Sequence, residues 1–126
     1  MGRRILIVED DEKSRRLLSD VLAFHGYEVA AVPSGEEALR SAAASAPDAA
    51  LLDIQLPGIS GFEVLAGLRE PRLCGASLPV VAVTASVMDQ DRKKILAAGF
   101  DAFISKPVNI RDLLGTLAKL LVRAEP

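Results

Sequence analysis

The chain has little of what staples, spans or anchors a protein. A single cysteine, Cys74, stands in 126 residues, so no internal disulfide can form, and a reducing, cytoplasmic setting is the natural expectation. Cys74 itself reads as a bystander. No apolar run approaches the length of a membrane span, and the N-terminal run Ile5 to Val8 is too short for the hydrophobic region of a signal peptide. Met-Gly at the start does not continue into a myristoylation pattern, because Leu6 stands where Ser or Thr is needed. Neither sign of charge dominates. With 15 Lys and Arg against 17 Asp and Glu, the net charge of -2 gives no electrostatic reason to expect nucleic acid or an acidic membrane as a partner. Aromatics are few and there is one histidine. Linkers, solenoid repeats and low-complexity segments are missing too. What remains is the composition of an ordinary α/β protein, half hydrophobic and a quarter charged, at a length that suits one domain over residues 1–126 with one core.

Short apolar runs recur along that length: "ILIV" (5–8), "AALL" (49–52), "VVAV" (80–83) and "AFI" (102–104), with "YEVAAV" (27–32) a more mixed fifth. Runs without alternation suit strands covered on both faces, the condition of a parallel sheet. Helical patterns lie between them. Leu17, Leu18, Val21 and Leu22 follow Asp11; Ala38, Leu39, Ala42, Ala43 and Ala46 follow Ser34, which with Glu37 forms an expected capping box. The last helix carries the clearest stripe, Ile110, Leu113, Leu114, Leu117, Leu120 and Leu121 after Asn109 as N-cap. The helix of "MDQDRKKILAAG" is weaker, with Met88, Ile95 and Leu96 as its expected anchors and Gly99 as its stop; a lightly anchored helix is one that can shift. Five strand-then-helix repeats with right-handed crossovers make a doubly wound, five-stranded parallel sheet, in which ligands sit at the carboxyl ends of the strands.

That edge collects chemistry. It brings together Glu9 and Asp10 after the first strand, Asp53 ending the third, Thr84 ending the fourth and Lys106 ending the fifth. Each has an ordinary explanation alone: Asp53 as a turn former before Pro57-Gly58, Lys106 as a solvated loop lysine, Thr84 as a β-branched strand residue. None of these explains all of them at one rim. Carboxylates converging in one cleft repel one another and must protonate or take up a cation. Oxygen ligands without His or Cys favour a hard ion, and a few carboxylates plus waters suit Mg²⁺. Metal, lysine and threonine together make a socket for a phosphoryl group carried on a carboxylate.

With "ED" after the first strand, "LLDIQLPGISG" around Asp53, "VVAVTA" with its threonine and "FISKP" with its lysine, the chain resembles the receiver domains of two-component response regulators, from about Arg4 to Leu121. It is most similar to the stand-alone regulators of the DivK type. The resemblance implies a flavodoxin-like (βα)5 fold with strand order 2-1-3-4-5. It implies that Asp53 takes a phosphoryl group from the phosphohistidine of a histidine kinase or phosphotransfer protein, and that Mg²⁺ is held by Asp10, Asp53, Glu9 and the backbone carbonyl of Gln55. Lys106 would hold a phosphoryl oxygen, Thr84 would swing its hydroxyl onto the group, and Phe103 would turn into the space vacated. The Lys106-Pro107 peptide is expected to be cis. Gln55 and Ser86 flank the site at positions that affect phosphoryl lifetime in the family. The surface of helix four, strand five and helix five would switch for a downstream protein, the kinase would dock near Ser14, Arg15 and Leu17, and the protein would be a monomer or a phosphorylation-dependent dimer.

Two features depart from the common pattern. Glu9 replaces a frequent aspartate and changes its reach, and Phe103 stands where Tyr is frequent, so it lacks a hydroxyl. Asp11 reads as an acid opening the first helix, not as a ligand, and Gly58 and Gly61 read as loop geometry.

Rival functions fit less well. A haloacid-dehalogenase-type hydrolase puts D-x-D after strand one and adds a cap, whereas "EDDEK" stands here and no insertion is long enough. A flavodoxin-like cofactor binder needs Ser, Thr and Gly in that loop, and a P-loop nucleotidase needs G-x-x-x-x-G-K-[ST], which is missing. His25, preceding Gly26 at the end of the first helix, reads as a dipole partner, not a phosphate carrier. A docking-only module that is never phosphorylated is the second reading. Only "AEP" follows the last helix, so no output domain is expected, and a receiver cut from a hybrid kinase stays open. The expectation is a phosphoacceptor signalling domain and not an enzyme with a separate substrate.

Overall fold

The computed structural model describes residues 2–85 and 89–124. Strands β1 (Arg4–Val8), β2 (Glu28–Val32), β3 (Ala49–Asp53), β4 (Val80–Thr84) and β5 (Ala102–Ser105) alternate with helices α1 (Glu12–Phe24), α2 (Gly35–Ala44), α3 (Gly61–Leu68), α4 (Asp89–Ala98) and α5 (Ile110–Ala124). All pairings are parallel, in the order β2-β1-β3-β4-β5. The uninterrupted apolar runs now have their reason. Successive strand side chains point to opposite faces, and both faces are covered. Ile5, Ile7, Ala49, Leu51 and Val81 meet Leu18 and Leu22 of α1 and Leu113 and Leu117 of α5, while Leu6, Val8, Ala50, Leu52 and Ala82 meet α2, α3 and Ile95 of α4.

Several helical expectations are corrected. In α1 only Leu18 and Leu22 are buried, and Leu17 is 58 % exposed, because residues one position off that row turn away from the sheet. In α2 Ala38 and Ala42 are buried but Ala43 and Ala46 are exposed, Ala46 lying past the helix end. Ser34 caps α2 by accepting the Glu37 N–H at 3.2 Å, but the Glu37 carboxylate does not return a bond to the Ser34 N–H, so no reciprocal box forms there. A complete box forms instead at α3, where Ser60 and Glu63 exchange side-chain and backbone bonds of 3.2 and 3.1 Å. Leu96 of α4 is 52 % exposed, leaving Ile95 as the buried anchor among the described side chains of that helix. Met88 and Ser86 lie outside the described residues. The α5 stripe is as expected: Leu113, Leu117, Leu120 and Leu121 are buried, Ile110 and Leu114 are half-buried, and Asn109 accepts the Asp112 N–H at 3.1 Å.

Candidate functional site

Parallel pairing brings the carboxyl ends of β1, β3, β4 and β5 to one edge. Asp53 is the last residue of β3 and is 4 % exposed. One of its carboxylate oxygens accepts the Gln55 N–H at 2.9 Å, and the other accepts Lys106 Nζ at 2.9 Å. Glu9, one residue past β1 and 2 % exposed, pairs its Oε1 with the same ammonium at 3.0 Å, while its Oε2 accepts the Asp11 N–H at 3.1 Å. Asp10 is exposed, yet it offers an oxygen that lies with one from Glu9 and one from Asp53 inside 4.8 Å. Lys106 therefore bridges two buried acids from a third strand end.

The backbone around Lys106 is tied to the neighbouring strand. Its N–H donates to the Thr84 carbonyl at 2.8 Å, and the Lys106-Pro107 peptide is cis. Thr84 is buried at the end of β4. Phe103 is half-buried on β5 and carries the Arg92 guanidinium of α4 over its ring, 5.4 Å from the centroid.

The electrostatics follow from burial. Desolvation raises the Glu9 carboxyl above its ordinary value, against the opposing pull of the Asp11 N–H and the Lys106 ammonium. Burial alone would lower Lys106, but its hydrogen bonds to Asp53 and Glu9 outweigh that and hold the ammonium above the ordinary lysine value. Three carboxylates and one ammonium leave two negative charges, which one divalent cation neutralises. The donors are all oxygens, the set that suits a hard ion. Beside Glu9 and Lys106 opens a cavity of about 490 Å³, lined also by Ser14, Leu17, Leu18 and Val108.

The acids, Thr84 and Lys106 singled out in the sequence are thus gathered at one edge, with Phe103 on β5, separated from Asp53 by β4. Asp11 caps α1 by accepting the Ser14 N–H at 2.9 Å, which also holds its own carboxyl below the usual range. Three features escaped sequence reasoning. Arg15, placed there on a docking surface, is half-buried and turned back onto the acid loop, its Nη1 donating to the Glu9 carbonyl at 2.9 Å and reaching the Asp10 carbonyl at 3.4 Å. No local pattern signals such a bond. Gly61 is not a loop residue but the first residue of α3. A Cβ there would stand 2.8 Å from the Asp53 carbonyl oxygen and 2.9 Å from the Ile54 Cα, so the missing side chain lets the helix start against the end of β3. The Ser60–Glu63 box was legible, since S-x-x-E is its signature.

Comparison with known proteins agrees with this geometry. The family model described as response regulator receiver domain matches residues 5–118. The polar-differentiation response regulator DivK of Brucella ovis is 39 % identical over 121 residues, covering 96 % of this chain and 98 % of that protein. A CheY-like receiver domain protein from Methanospirillum hungatei superposes with a TM-score of 0.87 at 33 % identity, over 98 % of this chain and 97 % of its own. The receiver domain of a Pseudomonas aeruginosa sensor histidine kinase, crystallised with magnesium ion coordinated in its active-site cleft, superposes with a TM-score of 0.86 at 31 % identity, over 96 % of this chain and 98 % of its own. With a matched model spanning nearly all of its length and its acids, threonine and lysine gathered at one sheet edge, this chain belongs to the response regulator receiver domain family.

Proposed function

We propose that the protein is a phosphoacceptor in a two-component pathway, taking a phosphoryl group on Asp53 from the phosphohistidine of a kinase or phosphotransfer protein. The observation that carries this reading is the setting of Asp53: a buried carboxylate at a strand end, one oxygen on Lys106 and the other on the Gln55 N–H, with Glu9 and Asp10 oxygens inside 4.8 Å. In the transfer, an Asp53 oxygen forms a bond to phosphorus as the bond from phosphorus to the donor imidazole nitrogen breaks. Lys106 then holds a phosphoryl oxygen and offsets its charge, and the Thr84 hydroxyl donates to another. Asp10, Glu9, Asp53 and the Gln55 carbonyl would hold Mg²⁺, which supplies the positive charge that lets an anionic donor approach three acids.

The remaining parts of the reading concern output. Phe103 and the lightly anchored α4 would carry the change to the face of α4, β5 and α5, where a downstream protein binds. The cavity bounded by Leu17 and Val108 would receive the donor. The protein would act in the cytoplasm as a monomer or a phosphorylation-dependent dimer, without catalysis on a separate substrate. Intact-protein mass after incubation with acetyl phosphate or phosphoramidate tests the chemistry, with and without Mg²⁺, on wild type and Asp53→Asn. One added phosphoryl group that needs both Mg²⁺ and Asp53 is expected. No gain with these donors or with a phosphohistidine donor would overturn the reading in favour of a docking-only module.

A further inference from the structure

Consecutive residues of an extended chain point their side chains to opposite sides. Glu9 and Asp10 obey this in burial, one 2 % exposed and the other at the surface, yet their carboxylates reach within 4.8 Å of each other and of Asp53. The backbone must turn at Asp10 and must hold that turn, since the three acids repel one another. The Glu9 carboxylate helps by accepting the Asp11 N–H, and Asp11 is fastened in turn to the Ser14 N–H. The first of these bonds restrains the peptide that follows the Asp10 Cα, to which the Asp11 N–H belongs, but neither restrains the peptide that precedes it. Arg15 does. Its Nη1 lies 2.9 Å from the Glu9 carbonyl and 3.4 Å from the Asp10 carbonyl, and those oxygens belong to the two peptides on either side of that atom. The 2.9 Å bond restrains the preceding peptide and the longer contact adds to the Glu9 bond on the following one, so together they restrain the two dihedrals of Asp10 and with them the direction of its Cα–Cβ bond.

We propose that Arg15 is a positioning residue for the divalent-cation site: from the first turn of α1 it clamps the peptides flanking Asp10 and so aims that carboxylate at the point it shares with Glu9 and Asp53. This rests on the metal-dependent phosphoacceptor reading and names the residue that pre-organises its loop. Partners that orient a ligating group contribute to metal affinity without touching the metal.

A clamp and a mere neighbouring charge predict opposite signs. If Arg15 acted only as a positive charge close to the acids, removing it would strengthen cation binding. If it orients Asp10, removing it weakens binding although the site becomes more negative. The experiment is Mg²⁺ titration by isothermal calorimetry at a temperature where every variant is folded by circular dichroism. Wild type, Arg15→Met, Arg15→Lys and Arg16→Met are compared. Arg15→Met is expected to raise the Mg²⁺ Kd by about 10-fold. Arg15→Lys, which keeps the charge on a stem one bond shorter, falls between it and wild type. Arg16→Met removes a charge one residue away, from an exposed side chain, and leaves the Kd unchanged or lower. An Arg15→Met protein that binds Mg²⁺ as tightly as wild type, or more tightly, overturns the proposal. Should Arg15→Met not fold, Arg15→Lys decides: a wild-type Kd together with wild-type amide chemical shifts for Glu9 and Asp10 overturns it. Wild type that takes up no Mg²⁺ overturns the metal reading and this inference with it, a result distinct from tight wild-type binding with indifferent Arg15 variants.

Discussion

Two glycine-to-alanine substitutions should move stability in opposite directions, although both glycines lie in helices. Gly115 is an exposed interior position of α5, and a Cβ built there meets nothing within 4 Å. Alanine at that position removes backbone freedom from the unfolded chain at no steric cost, a gain of about 0.5–1 kcal/mol. Gly61 opens α3, and its Cβ would stand 2.8 Å from the Asp53 carbonyl oxygen and 2.9 Å from the Ile54 Cα. Both obstacles are backbone at the end of a central strand, where no side chain can rotate away. Overpacking of this kind costs about 1–3 kcal/mol, more than the helix-propensity gain of under about 1 kcal/mol, so the collision wins. At roughly 4 °C of melting temperature per kcal/mol for a domain of this size, Gly115→Ala should raise the midpoint by about 2–4 °C and Gly61→Ala lower it by about 4–8 °C. The assay is thermal denaturation by circular dichroism of the metal-free proteins, with urea midpoints as a second scale. Because the displaced atoms belong to Asp53 and its neighbour, Gly61→Ala should also slow phosphoryl uptake from acetyl phosphate by about 10-fold or more, and Gly115→Ala should not. A Gly61→Ala protein as stable as wild type would refute the close approach of α3 to the end of β3.

Two titratable groups give further expectations. The Lys106 ammonium is held above its ordinary value by Asp53 and Glu9, so its contribution to stability is fully present below about pH 10.5 and is lost as pH rises through the raised value. Urea midpoints of metal-free wild type should therefore fall more steeply between about pH 10 and 12 than those of Lys106→Met, and parallel curves would contradict the ion pairs. Burial pushes the Cys74 thiol up, so iodoacetamide at pH 8 should alkylate the folded protein more slowly than a free thiol, with the normal rate restored in urea; equal rates would contradict the partial burial.

The parts of the fold that were legible in the sequence share one property: their signal is local and repeated. The runs Ile5 to Val8 and Val80 to Val83 are apolar at every position because alternate residues serve two separate cores. The α5 stripe was legible because six large residues recur at helical spacing. The failures were also local in kind. Leu17 and Leu96 continue an apolar pattern yet sit on the outer side of their helices, since a helix resting on a sheet buries a narrow row and single exposed apolar residues cost little. The box expected at Ser34 formed completely at Ser60, where the acid three residues on reaches back to the cap N–H.

Residue chemistry by itself determined that this is a parallel α/β domain with acids, a threonine and a lysine at strand ends, because strand topology sends those ends to one edge. Only the tertiary structure decided how they meet. That Lys106 spans two acids from β1 and β3 depends on three segments distant in the chain. That Arg15 reaches back to the carbonyls of Glu9 and Asp10 depends on how α1 packs beside the end of β1. That Gly61 can be nothing larger depends on the approach of α3 to the end of β3. Periodicity and composition report which face of an element is buried; distances between elements arise only when all the faces pack at once.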